Sequence, residues 1–357
     1  MKILYLTKYS RNAGSSRLRS YQYFPYLEKE GFEVEVSPLF NESYLQKLYM
    51  GKSTKKEALQ GYLKRFLKLF AVGKYDKIVI EKELFPYLPA FAERLFSIFR
   101  IPYCVDYDDA VFHNYDLSSN KIIQKFLSNK IDRVMKYSAC VVAGNSYLAD
   151  RARKAGAKRI EIIPTVIDLE RYREKNNQEN SSGKFVVGWI GTKTTFEKHL
   201  LPCRNWIKEI QQEDPDVHFH IVGITEDKDL GPIVKYIPWT EETETNEIQK
   251  MDVGIMPLED SPWEKGKCAY KLIQYAACGI PGIASDVGMN KEVTIDGQTG
   301  YLAESEKEWK RRILELKNNP ELRRELGRNA RKLVEEKYCI QVTARKWIEL
   351  LKEIDGR

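Results

Sequence analysis

The chain has 357 residues with 43% hydrophobic and 31% charged side chains, enough apolar material for two cores of ordinary size and far from the composition of a disordered chain. The formal charge of +7 suits an anionic partner. No apolar run approaches the roughly 20 residues of a membrane span, and MKILYL is too short for a secretory apolar core, so a cytoplasmic protein is expected. The six cysteines are scattered without a CxxC pair and the four histidines lack metal-ligand spacing, so reduced core cysteines and no structural metal are expected.

Short aliphatic runs alternate with helical patterns along the chain, the signature of parallel sheets built from βα units. The first array of predicted strands is KILYL, FEVEV, KIVIE, YCVDY, CVVAG and EIIP. Between them the spacing predicts a helix over Arg17–Glu30, stopped by Gly31, and another over Ser118–Tyr137, capped by Ser118 or Ser119. The polar segment EKNNQENSSG then interrupts the pattern, and FVVGWIG, VHFHIVG, VKYIPW, DVGIMPL and PGIAS form a second array. The charged tail from Glu306 reads as amphipathic helices anchored by Trp309 and Trp347.

In open parallel sheets, ligands bind beyond the carboxyl ends of the strands, where glycine turns and helix starts expose backbone N–H groups. TKYSRNAGSSRLRS follows the first strand, so Gly14 and Arg17 are candidate phosphate contacts, with Arg19 beside them. No complete GxGxxG is present, which argues against a dinucleotide oxidoreductase. GWIGTKTTFEKH follows the strand after the break and adds Gly191, Thr192, Lys193 and Lys198. Lysines at a helix entrance oppose the helix dipole unless an anion sits there.

The segment from Asp252 to Leu302 carries the most information: a strand ending in MPL, a glycine loop opening a helix, AACGIP at that helix's end, then ASDVG, KEV and DGQTGYL. Residues Gly266–Tyr270 are predicted to open the helix, with Lys267 and Lys271 one turn apart as charge for a diphosphate. This block resembles the donor-binding core of glycosyltransferase family 4. The resemblance implies an α/β GT-B fold: two Rossmann-like domains with parallel sheets facing across a cleft, the donor on the second and the acceptor mainly on the first. On that basis residues 1–170 form the acceptor domain, 171–183 a linker, 184–336 the donor domain, and 337–357 a helix returning to the first domain.

The resemblance further implies a retaining transferase that uses a nucleotide-diphosphate sugar, UDP- or GDP-linked, with no cofactor and no metal. Its acceptor would be a glycan or lipid-linked glycan of a bacterial-type surface polysaccharide. The family usually carries two glutamates separated by seven residues; the matching positions here are Gly266 and Gln274. Gln274 keeps hydrogen-bonding capacity for a ribose without the charge, and Glu264 is the candidate replacement for the first carboxylate. Cys268, Ala269 and Tyr270 complete the expected sugar and ribose contacts.

DYDDAVFH follows an apolar strand and contains a literal DxD, Asp106-Tyr107-Asp108, as in metal-dependent transferases of another fold. The preferred reading makes Asp108, Asp109 and His113 the catalytic candidates, facing developing positive charge or orienting the acceptor hydroxyl. A structural reading, with the aspartates capping a turn, competes with it.

Between the second and third strands, aromatics and leucines interleave with cations. At helical spacing Tyr62, Phe66, Leu69 and Phe70 share one side, flanked by Lys64, Arg65 and Lys68, which suits either packing on the sheet or contact with an anionic membrane, at its inner face. No nucleic-acid module is recognisable. The competing functions are a nucleotide-sugar 2-epimerase of the same fold and a non-catalytic nucleotide-sugar-binding protein.

Overall fold

The computed structural model describes residues 1–175 and 183–354. The polar interruption falls largely on 176–182, so most of the expected linker, and the end of the expected returning helix at 355–357, lie outside the described residues. The chain divides into two compact units. One comprises Met1–Thr165, Gly266–Cys268 and the chain from Thr343 onward; the other comprises Val166–Lys265 and Ala269–Val342.

In the first unit, six strands form one parallel sheet in the order β2-β1-β3-β4-β5-β6. They are β1 (Lys2–Leu6), β2 (Glu33–Val36), β3 (Lys77–Glu81), β4 (Cys104–Tyr107), β5 (Cys140–Ala143) and β6 (Ile160–Ile162). The central strands β3, β4 and β5 are buried along their whole length, as a sheet covered on both faces requires. The second unit repeats the plan in the order β12-β11-β10-β7-β8-β9. Its strands are β7 (Phe185–Ile190), β8 (Val217–Val222), β9 (Val234–Ile237), β10 (Val253–Met256), β11 (Gly282–Ala284) and β12 (Gly300–Leu302). All eleven predicted strands are present. The twelfth, GYL, is too short to show a pattern of its own and exists because Gly300–Leu302 pairs with Gly282–Ala284.

The helices depart more from expectation. The predicted Arg17–Glu30 helix starts earlier, at Gly14, and is broken into Gly14–Arg19, a 3-10 turn Tyr21–Tyr23 and Phe24–Lys29. Pro25 lacks the N–H that a continuous helix needs, so it sits in the first turn of a new one. Gly31 does end the run, with φ of 81°. The predicted Ser118–Tyr137 helix is also segmented, into Lys121–Leu127 and Lys130–Tyr137, with a separate short helix, His113–Asp116, before it. Its cap is Asn120, which accepts from Ile122 N at 2.9 Å, while Ser118 instead accepts from Asn120 N.

Trp309 is buried and stacks on Trp206 with ring centroids 5.8 Å apart; Trp347 is buried against Tyr23. All six cysteines are free thiols, five of them buried. Among the described residues no helix is long and apolar enough to cross a membrane.

Candidate functional site

In the first unit the carboxyl ends of β1, β3 and β4 converge on a cluster of charge. Ser15 and Ser16 follow β1, Glu81 and Lys82 close β3, and Asp106, Asp108 and Asp109 come at and after the end of β4. The Lys82 ammonium lies 2.9 Å from Asp108 Oδ1 and 3.5 Å from Asp109 Oδ2, and donates to Ser15 Oγ at 3.0 Å. Ser15 in turn donates to Asp108 Oδ2 at 2.8 Å. Glu81 is held by Lys8 N at 3.0 Å and Ser16 Oγ at 2.7 Å. Lys82 sits at φ of 66°, a left-handed backbone that a lysine adopts only where its surroundings impose it.

Protonation follows from this geometry. Burial works against the Lys82 ammonium, but Asp108, Asp109 and Glu81 together hold its pKa above the usual lysine value. Burial likewise opposes ionisation of Asp108, yet Lys82, Arg19 and Ser15 keep its carboxyl below the usual range. Asp109 goes the other way: burial and the neighbouring Asp108 charge push its pKa up, against the pull of Lys82 and Lys267. Two adjacent carboxylates are thus driven apart in acidity, the pattern of an acid-base assignment. The Asp109 side chain remains about a third exposed, and Asp108 much less.

Asp106 is not part of a shared metal-type pair with Asp108. Its carboxylate is taken by the buried Arg19 guanidinium, which also donates to Ile163 O at 2.8 Å. Arg19 is therefore a structural cation and not the phosphate contact its neighbourhood suggests. Arg17 shares the Gly14–Arg19 helix, and a Cβ at Gly14 would meet nothing within 4 Å, so no close approach requires glycine there. His113 has both ring nitrogens engaged, Nδ1 with Asp116 at 2.8 Å and Nε2 with the Tyr147 hydroxyl at 2.9 Å.

Residues Gly266–Cys268 do not open a helix, contrary to expectation. The helix begins at Tyr270, with Ala269 before it at φ of 49°, and Gly266–Cys268 belong to the first unit as an irregular segment. The physical reason lies in Asn145, whose side-chain amide donates to both Gly266 O and Lys267 O at 3.0 Å while its oxygen caps the helix Ser146–Ala155. A Cβ at Gly266 would overlap Ala110, which leaves room only for glycine. Cys268 donates to Asp108 O at 3.0 Å, and burial pushes its thiol up to about 12.

In the second unit the corresponding place is the end of β7. Gly191 packs so closely that a side chain there would overlap Trp189 and approach the Thr195 hydroxyl, and Gly223, after β8, lies directly against the Gly191 carbonyl. Thr192 caps the short helix Lys193–Thr195 in a reciprocal box with Thr195. The Lys271 ammonium sits over the ring of Trp189, a residue of β7, 5.2 Å from its centroid. Lys198 is drawn onto carboxylates, Glu264 at 2.6 Å and Glu259 at 2.8 Å, with His199 3.4 Å from Glu264.

Gln274 is buried and donates to the Tyr172 hydroxyl at 2.9 Å. Tyr172 donates to Glu244, which also accepts from Trp239 Nε1 at 2.6 Å. A carboxylate therefore does stand near position 274, reached through a tyrosine. Sequence spacing missed Ser15, Glu81, Lys82, Trp189, Tyr172 and Glu244. The one local signal was the run EKE after a strand, three charged residues where an apolar pattern stops.

Residues 184–319 match the model of the family described as glycosyl transferases group 1. An uncharacterized glycosyltransferase of Methanocaldococcus jannaschii, MJ1178, is 46% identical over 61 residues, 16% of this chain and 17% of that protein. TuaH of Bacillus subtilis, a protein named as a teichuronic acid biosynthesis glycosyltransferase, is 22% identical over 273 residues, 66% of this chain and 67% of its own length. Among solved structures, Anabaena HepE in complex with UDP and glucose superposes with a TM-score of 0.66 at 16% identity, over 99% of each chain.

The chain thus has the GT-B fold, and the segment that matches the glycosyl transferases group 1 model falls almost wholly in the second unit. The fold and the matched segment are those found in glycosyltransferases.

Proposed function

We propose that the protein is a retaining glycosyltransferase that moves a sugar from a UDP- or GDP-linked donor to a glycan or lipid-linked acceptor of a surface polysaccharide. The observation that carries this reading is the end of β7, where Gly191, the Thr192 cap and Lys271 over Trp189 surround one glycine-lined turn. The names of two relatives support it: HepE was solved with UDP and glucose, and TuaH is named for a polysaccharide pathway.

In this reading Lys193, Lys198, Lys267 and Lys271 stabilise the departing diphosphate, with Gly14 and Arg17 as further contacts. The bond from the anomeric carbon to phosphate breaks while the acceptor oxygen bonds the same face, and the acceptor proton passes to the leaving phosphate oxygen. No cofactor or metal is required. Asp108 and Asp109 orient the acceptor hydroxyl and stabilise positive charge on the sugar ring, and His113 holds the loop that follows them. Glu264, Gln274 and residues 266–270 serve the sugar and ribose.

Thermal denaturation with UDP-, GDP-, ADP- and CMP-sugars tests the donor half. A ligand present at 100 times its Kd adds about 2.7 kcal/mol to apparent stability. A rise with one nucleotide class, followed by transfer to an added acceptor and not epimerised donor, is the expected outcome. No stabilisation by any of them at millimolar concentration would refute the reading.

A further inference from the structure

Helix Lys55–Leu69 is built inside out. Its inward stripe is Glu57, Gly61 and Arg65, spaced four apart, all buried. Gly61 is pressed so tightly on the Leu39 carbonyl that any side chain there would overlap it. Arg65 runs under the helix and donates from Nη2 to Thr7 O at 2.7 Å and Ser37 O at 2.8 Å, while Glu57 takes Lys47 at 2.6 Å.

The outward stripe is apolar. Leu59 is 74% exposed, Leu63 59%, Leu67 59% and Phe70, just past the helix end, 77%, with Phe66 at 46%. These positions follow one another at i, i+4, i+7, i+8 and i+11, so they form one continuous band. The sequence pattern misjudged this face: Tyr62 and Leu69 pack inward against the core, and Arg65, expected at the flank, is buried. Leaving leucine and phenylalanine in water forgoes the stabilisation of burial, so a contiguous band of five calls for a cover.

Charge decides what that cover is. Lys52, Lys55, Lys56 and Lys64 are exposed around the band, and the helix's one acid, Glu57, is buried and paired. A second copy meeting this face about a two-fold axis would set lysine against lysine. An anionic lipid surface takes the apolar band into its acyl boundary and the ammonium groups among its phosphates.

We propose that the outward face of Lys55–Leu69 docks the protein on an anionic bilayer. Thr7 and Ser37 follow β1 and β2, so Arg65 fixes this helix at the carboxyl end of the first sheet, the end that also carries Ser15, Lys82, Asp108 and Asp109. The docking itself stands independently of the transfer reading; only the corollary rests on it, that the acceptor is carried on lipid and presented at this end.

Co-sedimentation with vesicles of phosphatidylcholine alone, and of phosphatidylcholine with phosphatidylglycerol, tests the docking without any activity readout. The protein is expected to pellet with the anionic vesicles and to be released as salt rises. Leu63→Glu/Phe66→Glu should lower the partition coefficient at least tenfold, and Lys55→Glu/Lys56→Glu/Lys64→Glu should abolish the preference for anionic lipid, both with unchanged circular dichroism. Pelleting that is negligible, or equal on the two vesicle types, overturns the proposal. So does a concentration-dependent dimer that Leu63→Glu/Phe66→Glu dissociates, since the band then belongs to a second copy.

Discussion

The carboxyl ends of the two sheets solve the same problem of unsatisfied charge in opposite ways. In the first unit Lys82 and Arg19 are buried and surrounded by oxygen: Lys82 by Asp108, Asp109 and Ser15, Arg19 by Asp106 and Ile163 O. In the second unit the turn after β7 leaves Lys193 exposed and Lys271 against an aromatic face, while Lys198 is paired with Glu264 and Glu259. The first arrangement fixes carboxylates and tunes their acidity. The second offers positive charge and backbone at a glycine turn, which is what an entering diphosphate needs. The difference teaches that the acidic cluster is a preorganised interior, whereas the turn after β7 keeps Lys193 at the surface.

Breaking the interior should have the largest effect. Lys82→Met strands buried carboxylates and is expected to cost about 3–5 kcal/mol of stability, read by denaturant unfolding. It should also shift the pH dependence of transfer. Lys82 pulls the Asp109 pKa down, so its removal lets that carboxyl keep its proton to higher pH, and the acid limb of kcat/KM moves upward. An unmoved acid limb in a folded variant would remove Asp109 from the reaction.

Next in size, Lys271→Ala should lower kcat about 10²–10³-fold, as loss of one preorganised charge contact typically does, with an unchanged melting temperature. A large stability loss with normal kcat in the surviving protein would make the basic turn structural after all. Gly223→Ala sharpens the contrast from the backbone side. The residue has φ of 99° and no room beside the Gly191 carbonyl, so about 1–3 kcal/mol of stability should be lost together with nucleotide-induced stabilisation. Smallest is Tyr172→Phe, expected to cost about 0.5–1.5 kcal/mol through the Gln274 and Glu244 hydrogen bonds.

The strands were legible because a buried parallel strand is a run of apolar residues whatever surrounds it, as KIVIE and CVVAG show. Helix continuity was less so. Pro25 and Asn120 act locally, yet whether a chain breaks or bends at such residues depends on what each half packs against. The site was legible in part: Asp108, Asp109 and Gly191 stand at strand ends, where pattern alone points. Lys82 was not, since EKE reads as surface until the left-handed turn drives its side chain onto Asp108.

By itself the sequence determined two parallel α/β arrays and the glycine turns at their strand ends, because periodicity and turn chemistry are properties of neighbours in the chain. Only the tertiary structure decided three other matters. Gly266–Cys268 is held by Asn145 instead of opening a helix, Gln274 reaches a carboxylate through Tyr172, and helix Lys55–Leu69 turns its arginine inward and its leucines out. Each depends on a partner 28 or more residues away, a carbonyl, a hydroxyl or an amide, whose direction no local pattern encodes.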